Sequence, residues 1–277
     1  MKKLLFTFTT LILLYNLALY YVNNYKKERS IPLNSCSKIW SSRGIYNSHD
    51  EQNSLVSFSR AFQSGYKGVE VDAYYNKEQN RFIISHANPK KNKLTKELFT
   101  LEDLFKKLGK GHLFWLDFKN LDKLSTTETK AAIKRLNTIM QPLNLKQRVY
   151  IEGSNPLKLQ LYTQNGFLTL FAFSPLKQSS IFSSISSNFY KIIYYMFDIS
   201  AIAMPYGKKD NPKYNQNTQK NLKGIPTFLF HIPADVTLVK QLLEKKDLKV
   251  LLVGRDQSIS MSYLNRCDKQ TFKKNNN

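Results

Sequence analysis

The 277-residue sequence predicts one α/β domain, a TIM (β/α)8 barrel, preceded by a single N-terminal transmembrane helix. Three observations lead there. From residue 38 to residue 253, short strand-like and longer helix-like segments alternate, the pattern of parallel strands covered by helices. Eight strand-like segments remain once residues 81–85 are taken as a hairpin excursion, and eight parallel strands close a barrel. Ahead of them stands one uncharged apolar run of membrane-crossing length.

That run extends from Leu4 to Val22 behind Met1-Lys2-Lys3. Its roughly 19 residues reach about 28 Å as a helix, close to the hydrocarbon thickness of a bilayer. It exceeds a signal-peptide core, and no small-x-small cleavage site follows. An uncleaved signal anchor over 1–23 is the expectation, with a cleaved signal peptide as the alternative. Lys26, Lys27 and Arg29 follow closely, so the positive-inside count does not orient the helix. An N-terminal segment of this type usually leads to export. The barrel is therefore expected outside the cytoplasmic membrane, in the periplasm or at the cell surface, and secreted if the segment is cleaved. Residues 24–37 read as a polar tether, 38–270 as the barrel and 271–277 as a disordered basic tail.

Within the barrel, 38–41 is the first strand. Residues 55–63 form a helix with Ser54 as N-cap. Residues 68–74 are a strand with Val69, Val71 and Ala73 on one face and Glu70 and Asp72 on the other. The excursion 81–85 follows across an Asn76–Asn80 turn, then a helix over 101–108 capped by Thr100. Further strands are 112–118, 148–151, 168–173, 199–204, 227–231 and 250–253. Helices are expected over 125–140, 156–165 and 236–244. Residues 174–197 are Ser-rich, then apolar and aromatic. They fit an ordinary barrel helix with a buried face, or a lid or membrane-facing element at the active mouth.

A hydrophobic fraction of 42% supports a full core. Lys and Arg number 42 against 20 Asp and Glu, a net charge of +22. Nucleic acid and anionic membrane are the two partners such charge suggests, and a Lys-rich surface is the plainer reading. The lysines are scattered, and no zinc-finger or RNA-binding signature accompanies them, so no nucleic-acid partner is expected. The two cysteines, Cys36 and Cys267, form no CxxC pair, which argues against zinc. They flank the barrel, where closure of the first and last strands would allow a disulfide outside the cytosol. Two unpaired thiols are equally compatible.

Glu70 and Asp72, two apart on a strand, point to the same side. Carboxylates inside a barrel repel each other unless a cation compensates, and oxygen donors suit Ca²⁺ or Mg²⁺ better than zinc. Asp117 and Lys119 repeat the pattern in Trp115-Leu116-Asp117-Phe118-Lys119, as a candidate third ligand and phosphate-binding cation, with an ordinary buried ion pair or strand end the equal alternative. His86 directly follows a strand-like run, as a general acid or base would. Arg43-Gly44 follows the first strand in the same way, and a guanidinium grips phosphate oxygens in pairs.

In order along the chain stand Ser42-Arg43-Gly44, Gln52-Asn53-Ser54-Leu55, Glu70-Val71-Asp72, Ile84-Ser85-His86 and Leu116-Asp117-Phe118-Lys119. This series, over residues 38–120, resembles the glycerophosphodiester phosphodiesterases, which carry His-Arg-Gly, Glu-Asn-Thr/Ser, Glu-x-Asp, a strand ending in His-Asp, and Glu-x-Lys. The resemblance implies a TIM barrel, a Ca²⁺ or Mg²⁺ ion, and hydrolysis of small phosphodiesters or lipid headgroups. It implies Glu70, Asp72 and Asp117 as metal ligands with Gln52 beside them, Arg43 and Lys119 on the phosphate, and His86 as acid or base. Three positions depart from the pattern: Ser42 replaces the first His, Gln52 the Glu, and Ala87 the Asp. His49 could supply the missing imidazole, and Glu51 could replace Gln52 as a ligand after a one-residue loop shift. Two functions follow: a metal-dependent phosphoric diester hydrolase, or a catalytically silent membrane-anchored barrel that binds phosphodiester or lipid headgroups.

Overall fold

The computed structural model describes residues 2–25, 31, 33, 38–89, 98–172, 180–233 and 235–254. The two cysteines, the end of the expected domain and the basic tail lie outside the described residues.

Eight strands close a parallel barrel: β1 (Ile39–Ser42), β2 (Gly68–Asn76), β4 (Leu113–Phe118), β5 (Val149–Gly153), β6 (Leu168–Ala172), β7 (Ala201–Pro205), β8 (Thr227–Phe230) and β9 (Leu248–Val253). Neighbours pair in that order, and β1 closes the ring against both β9 and β2. The ninth strand, β3 (Arg81–Ile84), pairs antiparallel with the far end of β2, so the expected excursion is present. Helices α2 (Leu55–Gln63), α3 (Leu101–Leu108), α4 (Thr126–Met140), α5 (Pro156–Gln164), α6 (Ser180–Met196), α7 (Gln216–Asn221) and α8 (Val236–Leu243) surround it. Of these, α7 has no counterpart in the sequence reading.

Helix starts follow local chemistry. Ser54, Thr100 and Ser125 each accept from the backbone N–H three residues on, and the side chains of Ser57, Asp103 and Glu128 answer with reciprocal bonds. Asn155, Asn215 and Asp235 cap α5, α7 and α8.

The strand period sorts side chains into two cores. Val69, Val71, Ala73, Leu116 and Ile151 face outward into the layer shared with the helices. Trp40, Trp115, Tyr150, Leu170, Phe228 and Val250 fill the interior. Phe228 meets Tyr150 at 5.0 Å, Trp115 at 5.4 Å and Trp40 at 5.8 Å, a tilted and edge-on arrangement that makes the barrel a packed plug. A Cβ on Gly68 would overlap the Trp40 ring, so glycine makes room for that indole.

The N-terminal segment is helix α1 (Lys2–Tyr25), which ends two residues beyond the expected 1–23. Its segment Phe6–Asn24 is long and apolar enough to cross a membrane and is almost wholly outside the protein core. Tyr15, Ala18, Leu19 and Val22 form its more covered face. There α1 meets α6, with Lys191 Nζ donating to Asn23 Oδ1 at 2.9 Å. α6 itself is a barrel helix that buries Tyr190, Ile193 and Tyr194, so the first of the two readings of 174–197 holds for its inner face.

Candidate active site

Above the aromatic plug, the inward positions at the C-terminal ends of four adjacent strands carry charge. β1 contributes Ser42 and then Arg43, β2 Glu70 and Asp72, β4 Asp117 with Lys119 just beyond it, and β5 Glu152. Register places Ser42 beside Glu70, Asp72 beside Asp117, and Asp117 beside Glu152.

Asp72 is the hub, with no exposed side-chain surface. Its Oδ1 lies 2.7 Å from Lys119 Nζ. Its Oδ2 lies 2.7 Å from Asn53 Nδ2, 2.9 Å from Arg43 Nε and 3.0 Å from His86 Nδ1. Asn53 also accepts from the Asp72 backbone N–H. Burial opposes the charged form of this carboxyl, but Lys119, Arg43 and Asn53 outweigh it and hold its pKa below the usual value. Asp72 is therefore an anion that aims one imidazole and two cations.

Its neighbours behave oppositely. Glu70 accepts from Ser42 Oγ at 2.5 Å, yet burial, then Asp72 and Asp117, push its pKa up to about 7. Glu152 accepts from Trp115 Nε1 and is raised well above the carboxylate range by burial, then by Asp117 and Glu70. Asp117, paired with Lys119, is raised chiefly by burial. Four carboxyls thus face two cations over an apolar floor.

Oxygens of Glu70, Asp72 and Asp117 lie within 4.8 Å of one another. Ligands at 2.3–2.6 Å from a Ca²⁺ centre are at most about 5 Å apart, so these three fit a divalent cation. Burial and the neighbouring carboxylates raise Glu70 and Glu152, and a cation bound beside them would offset that cost of ionisation.

The loop after β1 is held by unusual backbone. Arg43 (φ 58°) and Asn53 (φ 55°) are both left-handed, and Asn53 N–H donates to the Arg43 carbonyl at 3.1 Å. That bond brings the Asn53 side chain to Asp72. The Gln52 oxygen accepts from Arg43 Nη1 at 3.1 Å, so ligation of a metal by Gln52 would release Arg43. Glu51 is engaged by Arg60 at 2.7 Å and by the Asn47 N–H, which a loop shift would break. His49 is exposed on a 3-10 turn beside Tyr46.

Two mouth residues escaped the sequence reading. Glu152 lies one residue past the expected strand 148–151, although the alternation Val149-Tyr150-Ile151-Glu152 puts it with Tyr150 on the inner face. His231 follows β8 in a left-handed conformation (φ 50°) at the exposed rim. Partial burial, then Arg43 and Lys213, lower its pKa. The fourth histidine, His112, stacks on Phe62 at 3.7 Å at the opposite end of the barrel.

No protein-family model matches the sequence, and no curated protein matches it. Solved structures do match the fold. A glycerophosphodiester phosphodiesterase from Parabacteroides distasonis superposes with a TM-score of 0.59 at 14% identity, over 83% of this chain and 98% of that one. The enzyme of that name from Agrobacterium tumefaciens gives 0.53 at 12% identity, over 82% and 99%. A Galdieria sulphuraria protein provisionally assigned to the same class gives 0.59 at 15% identity, over 82% and 97%. The chain has the glycerophosphodiester phosphodiesterase fold, and at these identities the likeness speaks for the fold alone.

Proposed function

We propose that this protein is a metal-dependent phosphoric diester hydrolase acting on glycerophosphodiesters or related phospholipid headgroups, anchored by α1 with its barrel outside the cytoplasmic membrane. The observation that carries this reading is the convergence of Glu70, Asp72 and Asp117 with Lys119, Arg43 and His86 at one barrel mouth, where TIM-barrel sites are built.

In this reading Glu70, Asp72 and Asp117 hold a Ca²⁺ or Mg²⁺ ion. When bound, such an ion neutralises charge on a phosphoryl oxygen. Lys119 and Arg43 bind the remaining phosphate oxygens, because both cations already point at the carboxylate cluster and an incoming diester offers further anionic oxygens. His86 is held through Nδ1 by Asp72, which leaves Nε2 to carry a proton to or from the reacting oxygens. A second proton carrier is needed because Ser42, a hydroxyl bonded to Glu70, cannot serve as a base near neutral pH. His231 takes that part in our reading: its lowered pKa keeps it neutral and able to accept a proton. His49 is the alternative.

The silent-barrel reading rests on a specific feature. Ser42 and Gln52 are both satisfied within the site, by Glu70 and by Arg43, and neither titrates near neutral pH. One experiment separates the readings. The full chain in detergent is stripped with chelator, and Ca²⁺ or Mg²⁺ is titrated while glycerophosphocholine hydrolysis is followed. Metal-dependent turnover that Glu70→Ala abolishes supports the hydrolase. Metal binding without turnover on any diester offered supports the silent barrel, and no metal binding removes both.

A further inference from the structure

Helices that follow barrel strands run back antiparallel to them, so each begins at the active mouth. Among the described residues outside α1, the exposed large apolar side chains are Val56, Leu157, Phe182, Ile185, Phe189, Met196 and Val236. Val56, Leu157 and Val236 lie in the first turns of α2, α5 and α8, and Phe182 and Ile185 in the first two turns of α6. Scattered exposed apolar residues are ordinary. Here five of the seven stand at one end of the barrel, and only Met196 is at the other. Leu157 is 64% exposed and Phe182 51%.

α1 points the same way. Tyr15 hydrogen-bonds Asn188, and Asn23 accepts from Lys191, so later residues of α1 meet later residues of α6 and the two helices share one sense. From Tyr15 back to Lys2 the helix rises about 20 Å, against about 12 Å from Asn188 to the start of α6. The first residues of α1, with Phe6 exposed among them, therefore extend about 8 Å past the start of α6 on the mouth side. Lys208, on the connection after β7, is an exposed cation on the same side, and the chain as a whole carries +22, which complements anionic lipid.

We propose that the mouth of the barrel docks onto the lipid bilayer through Val56, Leu157, Phe182, Ile185 and Val236 beside α1, and that the carboxylate site takes its phosphodiester from a membrane-resident phospholipid. The docking surface stands on its own observations, whereas the source of substrate rests on the hydrolase reading above. Apolar side chains of the rim enter the lipid boundary, and the headgroup phosphate then meets Arg43 and Lys119 with no need for the lipid to leave the membrane.

The test uses the full chain reconstituted in phosphatidylcholine–phosphatidylglycerol vesicles containing brominated acyl chains. Tryptophan is placed on the rim by Leu157→Trp or Phe182→Trp, and at the opposite end by Lys110→Trp, each checked for an unchanged melting temperature. The rim reporters should be quenched at least twofold more than Lys110→Trp. Equal quenching, stronger quenching of Lys110→Trp, or none in any variant overturns the docking surface. In a second arm, Phe182→Asp/Ile185→Asp should lower turnover of vesicle-borne lysophosphatidylcholine about tenfold, close to what burial of one apolar side chain contributes. Hydrolysis of soluble glycerophosphocholine should not change. An equal fall on both substrates overturns the membrane source. If neither substrate turns over, the hydrolase reading fails while the quenching result stands.

Discussion

Lys119 Nζ lies 2.7 Å from Asp72 Oδ1 and also donates to Asp117, so a single ammonium bridges two strands at the point where their carboxylates would otherwise repel. The two acids raise the Lys119 pKa against the opposing effect of burial. In Lys119→Ala the cluster loses that charge, and a divalent cation must supply more of the compensation. Calorimetric titration should show Ca²⁺ binding several-fold tighter than in the parent. Turnover of a phosphodiester should fall about 100-fold, because a phosphate contact is gone. Weaker cation binding would show that Lys119 organises the ligands more than it competes with the ion.

Asp72→Asn is predicted to be the most disruptive change in the site. The carboxylate is fully buried and contacts Lys119, Arg43, Asn53 and His86, so an amide takes the anion from Arg43 and leaves Lys119 with Asp117 alone. Removing one partner of a buried pair costs about 3–5 kcal/mol. A denaturant titration should show a loss of that size, with cation binding abolished. A loss below about 1 kcal/mol would mean that solvent screens these pairs.

The pH dependence of stability should reveal the cation site. Glu70 is raised to about 7 in the fold, against an unfolded value near 4.5, so the folded state holds its proton more tightly. Its contribution is fully present below about pH 4.5 and is lost as pH rises through about 7. Asp117 and Glu152 shift in the same direction. Asp72 has the opposite sign, and its contribution disappears only in acid, as pH falls through its lowered pKa. A divalent cation replaces the proton on Glu70. The melting-temperature gain from Ca²⁺ or Mg²⁺ should therefore be small at pH 5 and large at pH 8, and a gain independent of pH would contradict it.

Much of this was legible in the sequence, for physical reasons. Strand period 2 sorted Glu70 and Asp72 from Val69 and Val71, and Ser54, Thr100 and Ser125 marked helix starts at the observed caps. The alternation in β5 already placed Glu152 on the face of Tyr150, but its position in the site follows from pairing with Asp117 across the sheet, which local pattern does not contain. The same limit hid α7, six polar residues whose position depends on packing against α6. His231 was invisible for another reason: its proximity to Arg43 arises only when β8 and β1 close around β9.

The histidines offer a kinetic test. His86→Gln should lower kcat by about 10²–10⁴ with less effect on KM, since the ring touches Asp72 and not the cation pair. His231→Ala should lower kcat to a similar degree and remove one limb of the pH–rate profile, while His49→Ala should change turnover less than threefold. The reverse order would assign the second proton to His49.

Gly44 links the loop to the site through backbone shape. At φ +82° it occupies a region that side chains resist, and a Cβ there would stand 2.5 Å from the Ser57 carbonyl carbon and 2.6 Å from its oxygen. The Ile45 N–H donates to that same oxygen at 2.9 Å, so α2 cannot withdraw without breaking the bond that seats the loop. Gly44→Ala should cost about 3 kcal/mol from conformation and overlap together. Gly224 supplies the control, because its φ is +81° with no atom within 4 Å of a built Cβ. Gly224→Ala should cost about 1 kcal/mol, the conformational part alone. Because Arg43 is the residue before Gly44, the first variant should also weaken phosphate binding while the control leaves it intact. Equal losses of stability in the two variants would show that α2 yields to the methyl group and that the close approach is not what fixes Arg43.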